Sequence, residues 1–445
     1  MAQFSYSNIV AIYLAATFLY ISYKYGPIVR ITPNEVAVND PASFKDIHKI
    51  GSGFNKTPWY EYLSTSGPGK SPGVFQMTNP KDHAARRKFL AKGFSQRHLR
   101  EQWEDVVRGR VDLAVARIKA DATSGTADIL KWWTYLATDV SAHLMFGESF
   151  HMLESGERVP YIVALETASI CSAISWELPL VYWIGRRLPF AAMRDIFYAN
   201  EVLLKQGRLA VKNSKAQDFG TSNIFATAIS ETEKGDGTLT DEDIQAEAGN
   251  LIVAGSDTTG ITLTYLTWCV LKQPVLQKAL EEEVSSADVP LTDASLEQLP
   301  ILNAVIEETL RLYGAAPATL PRLTPKGGAT IANHYIPAGT IVGTQSYSLH
   351  RNPHLFPNPD KFDHTRWLSP KELSPLAKAV FSPFGAGSRV CIGLHLARME
   401  LRLGAATFFR ECKGARLAAS TTDESMRPIN HFLISPKAHK CEIVL

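Results

Sequence analysis

Apolar positions recur at three- and four-residue spacing through most of residues 83–215, the period of helices with one buried face. Upstream the period changes. Pro27-Ile28-Val29-Arg30-Ile31-Thr32-Pro33-Asn34-Glu35-Val36-Ala37-Val38 reads as two short strands joined by a Pro-Asn turn. A soft linker, residues 218–237, is rich in Ser, Thr, Gly and Glu. Thr240 with Asp243 then forms a capping box. It opens an apolar helix that runs to about Lys272 and stops before Pro274. At 1.5 Å per residue this helix is on the order of 48 Å long. Further helices are predicted over about 275–285 and 301–313. Residues 315–345 look like short strands with Pro/Gly turns, and a Pro-rich loop (351–370) follows. A last helix ends near Phe409. No internal repeat is visible. The pattern predicts a mainly α fold with a minor β part.

Residues 1–23 carry no charged side chain, and Ile9–Ile21 is their most apolar part. With its flanks this stretch reaches about 20 residues, enough to cross a bilayer core as a helix. Lys24 and Arg30 follow at once, which keeps that end cytosolic by the positive-inside rule. A basic n-region and a small-residue cleavage site are lacking, which disfavours a cleaved signal peptide. The alternative is a buried core helix. The expectation is one N-terminal transmembrane helix (1–24) in the endoplasmic reticulum membrane, ahead of a single cytosolic catalytic domain (25–445).

Composition removes other classes. The chain has 445 residues, 45% of them hydrophobic, which excludes wholesale disorder. Its net charge is +2, with no basic run of the length a nucleic-acid arm needs, so no nucleic-acid partner is expected. Five scattered cysteines form no CxxC pair, which argues against a zinc site or a disulfide framework.

Phe381-Ser382-Pro383-Phe384-Gly385-Ala386-Gly387-Ser388-Arg389-Val390-Cys391-Ile392-Gly393 is the most informative stretch. It is a Gly-rich loop delivering one cysteine just ahead of a helix. Gly385, Gly387 and Gly393 permit positive φ and close backbone approach. The following helix start (Leu394-His395-Leu396-Ala397-Arg398) aims its positive end at the sulfur and favours the thiolate. Arg389 is placed to meet an anion. A thiolate suits haem iron; a buried structural cysteine is the plainer alternative.

The spacing decides between them. Phe384-x-x-Gly387-x-Arg389-x-Cys391-x-Gly393 resembles the haem-binding signature of the cytochrome P-450 family at every fixed position, and the match extends to Ala397 and Glu400. The resemblance implies the cytochrome P-450 fold and haem b, with Cys391 as the proximal thiolate on iron. It also implies that Phe384 packs over the thiolate side and that Arg389 pairs a haem propionate. His83 and Arg87, in His83-Ala84-Ala85-Arg86-Arg87, and Arg322, in Leu320-Pro321-Arg322, are implied as further propionate partners; the alternative for the first group is a solvated basic face.

Leu251-Ile252-Val253-Ala254-Gly255-Ser256-Asp257-Thr258-Thr259-Gly260 sets a polar cluster inside the long apolar helix. Ser256 or Asp257 could cap a new helix, or the threonines could bond back to helix carbonyls. Ala254-Gly255-x-Asp257-Thr258-Thr259 is similar to the family's oxygen-activation motif. By that resemblance the small residues let the helix lie on the haem, the Thr258 hydroxyl opens the helix locally and orients water, and Asp257 helps deliver protons. Glu308-Thr309-Leu310-Arg311 resembles the family's E-x-x-R pair. It is expected to be buried and joined by Arg366 from Phe362-Asp363-His364-Thr365-Arg366-Trp367, where His364 stands in place of the usual Pro.

The resemblance places four stretches around the substrate: 58–78, about 150–200, 315–320 and 431–434. Their apolar residues, Trp59, Phe75, Trp176, Trp183, Leu320, Phe432 and Leu433, suit a fairly large, apolar, oxygen-poor molecule. The implied activity is a microsomal monooxygenase of fungal secondary metabolism acting on a polyketide, terpenoid or alkaloid. Electrons would come from NADPH through a membrane-bound reductase. A haem-thiolate isomerase, dehydratase or desaturase, or a non-catalytic haem-binding member, is the competing reading. Microsomal members carry a Pro/Gly-rich hinge after the anchor, for which Tyr25-Gly26-Pro27-Ile28 leaves no room.

Overall fold

The computed structural model describes residues 26–63, 71–164, 178–185, 187, 200–215, 223–226, 239–369 and 373–445. The 1–24 segment, Trp176 and nearly all of 218–237 lie outside these residues. No helix among the described residues is long and apolar enough to cross a membrane.

Nine of the described helices have eight residues or more: α1 (Pro41–His48), α2 (Pro80–Ala91), α3 (Glu104–Ser124), α4 (Ile129–Phe146), α5 (Asn200–Ser214), α6 (Asp241–Leu271), α7 (Pro274–Ser285), α8 (Pro300–Tyr313) and α9 (Leu394–Glu411). Their ends follow local chemistry. Asn79 caps α2 through its side chain, and Pro80 occupies the first turn, where no amide donor is needed. The Thr240–Asp243 capping box starts α6 as expected from sequence.

The helix α6 runs through the main apolar core, where nearly every residue from Thr259 to Leu271 is buried. It packs most extensively on α4, and also on α5, α8 and α9. The Gly255 and Gly260 positions allow the α4 contact. A Cβ on Gly255 would overlap Ser141 Oγ, and one on Gly260 would lie 2.8 Å from Thr134 Cα and 2.9 Å from its N. These glycines therefore serve helix–helix packing. For Gly255 this differs from the sequence expectation, which assigned its small size to the haem face.

The strands form four small sheets. The largest joins β1 (Ile28–Thr32), β2 (Glu35–Val38), β3 (Asn55–Lys56), β5 (Arg322–Leu323) and β8 (Ile341–Gly343) in the order β1-β2-β8-β5-β3. Only β2–β8 is parallel in it. β4 (Ala127–Asp128), β12 (Glu442–Val444) and β9 (Arg416–Leu417) form a second, while β6 (Ala329–Ile331) pairs β7 (His334–Ile336) and β10 (Pro428–His431) pairs β11 (Leu433–Pro436). The mainly α fold with a minor β part is as the sequence implied.

Candidate functional site

The Cys391 loop is built by two backbone turns. Gly385 and Gly387 have φ of 74° and 64°, the left-handed region where a side chain is strained. Gly387 also passes so close to the His48 carbonyl that a Cβ there would overlap it. Gly393 is a correction: its φ is −82°, in no need of glycine. Its Cβ would instead stand 3.9 Å from Cys391 Sγ. The Cys391 N–H donates to the Phe384 carbonyl at 2.8 Å, closing the loop.

Cys391 is accessible to solvent although its sulfur is ringed by protein atoms, so its side chain opens on an interior cleft. Burial pushes the thiol up, while the Gly393 N–H and the Arg87 guanidinium pull it down. The same contrast marks the middle of α6. Ala254 and Asp257 are exposed and Val253, Gly255 and Thr258 partly so, yet the turns on both sides are buried. Thr258 Oγ1 donates to the Ala254 carbonyl at 2.7 Å. The helix is unbroken from Asp241 to Leu271, so the expected local opening is not seen. The hydroxyl follows the i−4 carbonyl and leaves the backbone ladder intact.

Cations gather beside the loop. His83 and Arg322 are buried. Arg322 Nη1 donates to Tyr60 Oη at 2.8 Å. Arg87 Nη1 donates to the Val390 carbonyl at 2.8 Å, and Arg389 Nη1 to the Met77 carbonyl at 2.8 Å. Lys56 and His48, which the sequence did not single out, lie with them, and the two imidazoles, His48 and His83, are neutral near pH 7. Lys56 lies opposite Arg322 in the β3–β5 register and is buried. Its Nζ donates to the Phe75 carbonyl at 2.5 Å and lies 4.2 Å from the centroids of both the Tyr60 and Phe75 rings.

No ion pair holds Lys56, Arg87, Arg322 or Arg389 among the described residues. Mutual repulsion and burial lower the pKa values of the group. Burial, then Arg389, Lys56 and Arg87, push His83 down to about 3. Burial, then Arg322, push Arg389 down to about 10, partly offset by Tyr60. Burial and Arg322 push His48 down to about 3. A cluster of like charges in low dielectric fits a group carrying two carboxylates, as haem does.

Behind the cleft, Glu308 and Arg311 form the buried pair expected from sequence, with Nε and Nη2 each donating at 2.8 Å. Arg311 Nη1 reaches the carbonyls of His350 and Pro359. Arg366 Nε, Trp367 Nε1 and Asp363 N all donate to Glu308, at 3.3, 2.9 and 2.9 Å. His364 in place of Pro therefore leaves the Arg366 contact intact.

On the other side, Phe432 lies 6.3 Å from both Trp59 and Phe75, and Tyr60 bridges the latter two at 5.0 and 5.5 Å. Phe432 sits at the tip of the β10–β11 hairpin with φ of 89°. Ile434 N donates to the Ala315 carbonyl at 2.9 Å, which joins two of the stretches predicted from sequence. Trp183 is not in this group. It is 54% exposed on the short helix Pro179–Gly185, with Arg187 over its ring.

A thiol on an accessible wall, beside cations that have no ion pair among the described residues, fits a haem-thiolate protein. Comparison narrows the class. The cytochrome P450 family model matches residues 13–442, and the chain belongs to that family. It is 46% identical over 430 residues to the cytochrome P450 monooxygenase stcB of Emericella nidulans, covering 95% of this chain and 82% of that one. It is 44% identical over 431 residues to the cytochrome P450 monooxygenase aflV of Aspergillus parasiticus, covering 95% and 84%. A methylphloroacetophenone oxidase of Cladonia uncialis is 33% identical over 353 residues, 76% of each chain. The protein is thus a monooxygenase, an oxidoreductase that oxidises a secondary metabolite. It binds haem through a cysteine thiolate and depends on a reductase, typically NADPH-linked.

Proposed function

We propose that Cys391 is the thiolate that holds the haem iron, and that residues 25–445 form one haem domain. The observation that carries this is the Cys391 loop beside a cation cluster with no ion pair of its own among the described residues. Arg87, His83, Arg322 and Arg389 hold the propionates. Phe384 packs on the thiolate side, and the Gly393 N–H donates to the sulfur. When bound, the haem supplies reductive activation of O2 and insertion of one oxygen atom into the substrate.

Asp257 and Thr258 manage protons on the accessible patch of α6. The Thr258 proton is committed to the Ala254 carbonyl, so its oxygen accepts a hydrogen bond and orients a water. Asp257, one residue before it, passes protons inward. Trp59, Phe75, Leu320, Phe432 and Leu433 wall the substrate. Their aromatic character, with a relative named for oxidation of methylphloroacetophenone, supports an apolar aromatic polyketide as the substrate class. Residues 1–24 anchor the protein in the endoplasmic reticulum membrane, with the haem domain in the cytosol.

Reconstitution with a fungal reductase tests the reading. Aromatic polyketides from a gene-deletion strain should stimulate NADPH consumption with stoichiometric product. Haem-loaded protein that gives no such consumption with any accumulated metabolite would contradict it. Cell fractionation with and without residues 1–24 tests the anchor.

A further inference from the structure

Two buried polar side chains grip the segment that carries Phe75. On α6, Glu247 Oε1 accepts the Val74 N–H at 2.8 Å and Arg86 Nη1 at 3.0 Å. One residue along, Lys56 Nζ donates to the Phe75 carbonyl at 2.5 Å. The Val74–Phe75 dipeptide is thus held at its N–H by the Glu247 carboxyl oxygen and at its C=O by the Lys56 amine, whose pKa burial, Arg322 and Arg389 push well down. Further bonds keep the segment on α6. Gln76 Nε2 donates to Asn250 Oδ1 at 2.9 Å, and Ser71 Oγ to Asp243 at 2.6 Å. Phe75 in turn faces Phe432.

Glu247 is completely buried, and its Oε2 meets no donor among the described residues. A buried carboxylate with one open oxygen is a costly device for structure alone. We propose that Glu247 is a positioning residue for substrate selection: its carboxylate sets the Val74–Phe75 backbone, and through it the aromatic wall that reads the substrate's ring. The proposal rests on the reading of Phe75 as a pocket wall.

The ionised form makes the stronger bond to the Val74 N–H. Burial pushes Glu247 up to about 7, opposed by Arg86 and the Val74 N–H and reinforced by Asp243. Arg86 from α2 and Asp243 from α6 are the charged side chains acting on it among the described residues; the groups facing it from 71–76 do not titrate. The grip should therefore tighten as pH rises through about 7.

Spectral titration of the haem-loaded protein with 4-phenylimidazole tests this, because the phenyl ring samples the wall while the imidazole reports at the iron. Plain imidazole is the control. At pH 8, E247Q should bind 4-phenylimidazole roughly tenfold more weakly than the wild type, the effect of losing one charge-assisted hydrogen bond. Imidazole affinity should not change, and at pH 6 the two proteins should bind 4-phenylimidazole alike. Equal 4-phenylimidazole binding at pH 8, with normal haem content, would overturn the proposal. If E247Q does not load haem, F75A decides: it should abolish the pH dependence of 4-phenylimidazole binding that remains after the ligand's own protonation is corrected for, and retention of that residual dependence would overturn the proposal. A wild-type protein lacking the thiolate-type reduced-CO band would instead refute the haem-thiolate reading.

Discussion

Gly260 on α6 lies so close to Thr134 on α4 that a Cβ would stand 2.8 Å from the Thr134 Cα. Backbone opposes backbone there, and no side-chain rotation relieves it. At Gly255 the opposing atom is the Ser141 hydroxyl, which has no hydrogen-bond partner among the described residues. The same small residue thus meets two different obstacles on one helix interface. G260A should destabilise by about 1–3 kcal/mol, an overpacking cost, and no change at the Thr134 side chain should recover it. G255A should be rescued by S141A, which removes the clashing atom and an unsatisfied hydroxyl. Thermal unfolding of the single and double variants checks this; additive losses at the Gly255–Ser141 pair would refute it.

Arg311 and Glu308 are both without exposed side-chain surface. Removing one partner strands the other in low dielectric, at a cost of about 3–5 kcal/mol. E308A and R311A should express with little bound haem. R366K should be milder, because Glu308 keeps both Arg311 bonds as well as those from Trp367 and Asp363. Haem absorbance relative to total protein measures the order.

In the sequence, the strands at 28–38, the Thr240 capping box, the Cys391 signature and the Glu308–Arg311 pair are all legible. Each is a local pattern, with its partners within a few residues or at motif spacing. Lys56, Tyr60 and Glu247 are not, because they acquire meaning only across the fold. Lys56 meets Arg322 in a strand register, and Glu247 meets Val74 173 residues away. A glycine in a sequence also does not say which neighbour it makes room for, so the motif alone points Gly255 at the haem face rather than at Ser141. Hydrophobicity alone groups Trp183 with the substrate wall, and the structure leaves it exposed.

Proton delivery should fail selectively. T258V and D257N leave the Cys391 loop untouched, so the reduced-CO spectrum should be unchanged. Product formation should fall about 10²-fold, the scale of a lost general acid–base group. T258V should go on consuming NADPH with little product, whereas T258S should retain coupling. Parallel assays of NADPH, O2 and product separate these outcomes.

Stability should carry the Glu247 titration. Its folded pKa is raised to about 7, so the folded protein keeps a proton that the unfolded chain releases near pH 4. That contribution is complete below about pH 4 and is lost as pH rises through about 7. Over this window the wild type should lose about 2–4 kcal/mol relative to E247Q, the free-energy equivalent of the gap between its folded and unfolded pKa. Denaturant unfolding at pH 5 and pH 8 gives the difference, and parallel pH profiles for the two proteins would refute it.

The assignment of Cys391 to the iron is tested most directly by the absorption spectrum of the reduced, CO-bound protein before and after C391S. The wild type should show the thiolate-type band and C391S should lose it. A C391S protein that binds haem and keeps that band would show that another group ligates the iron.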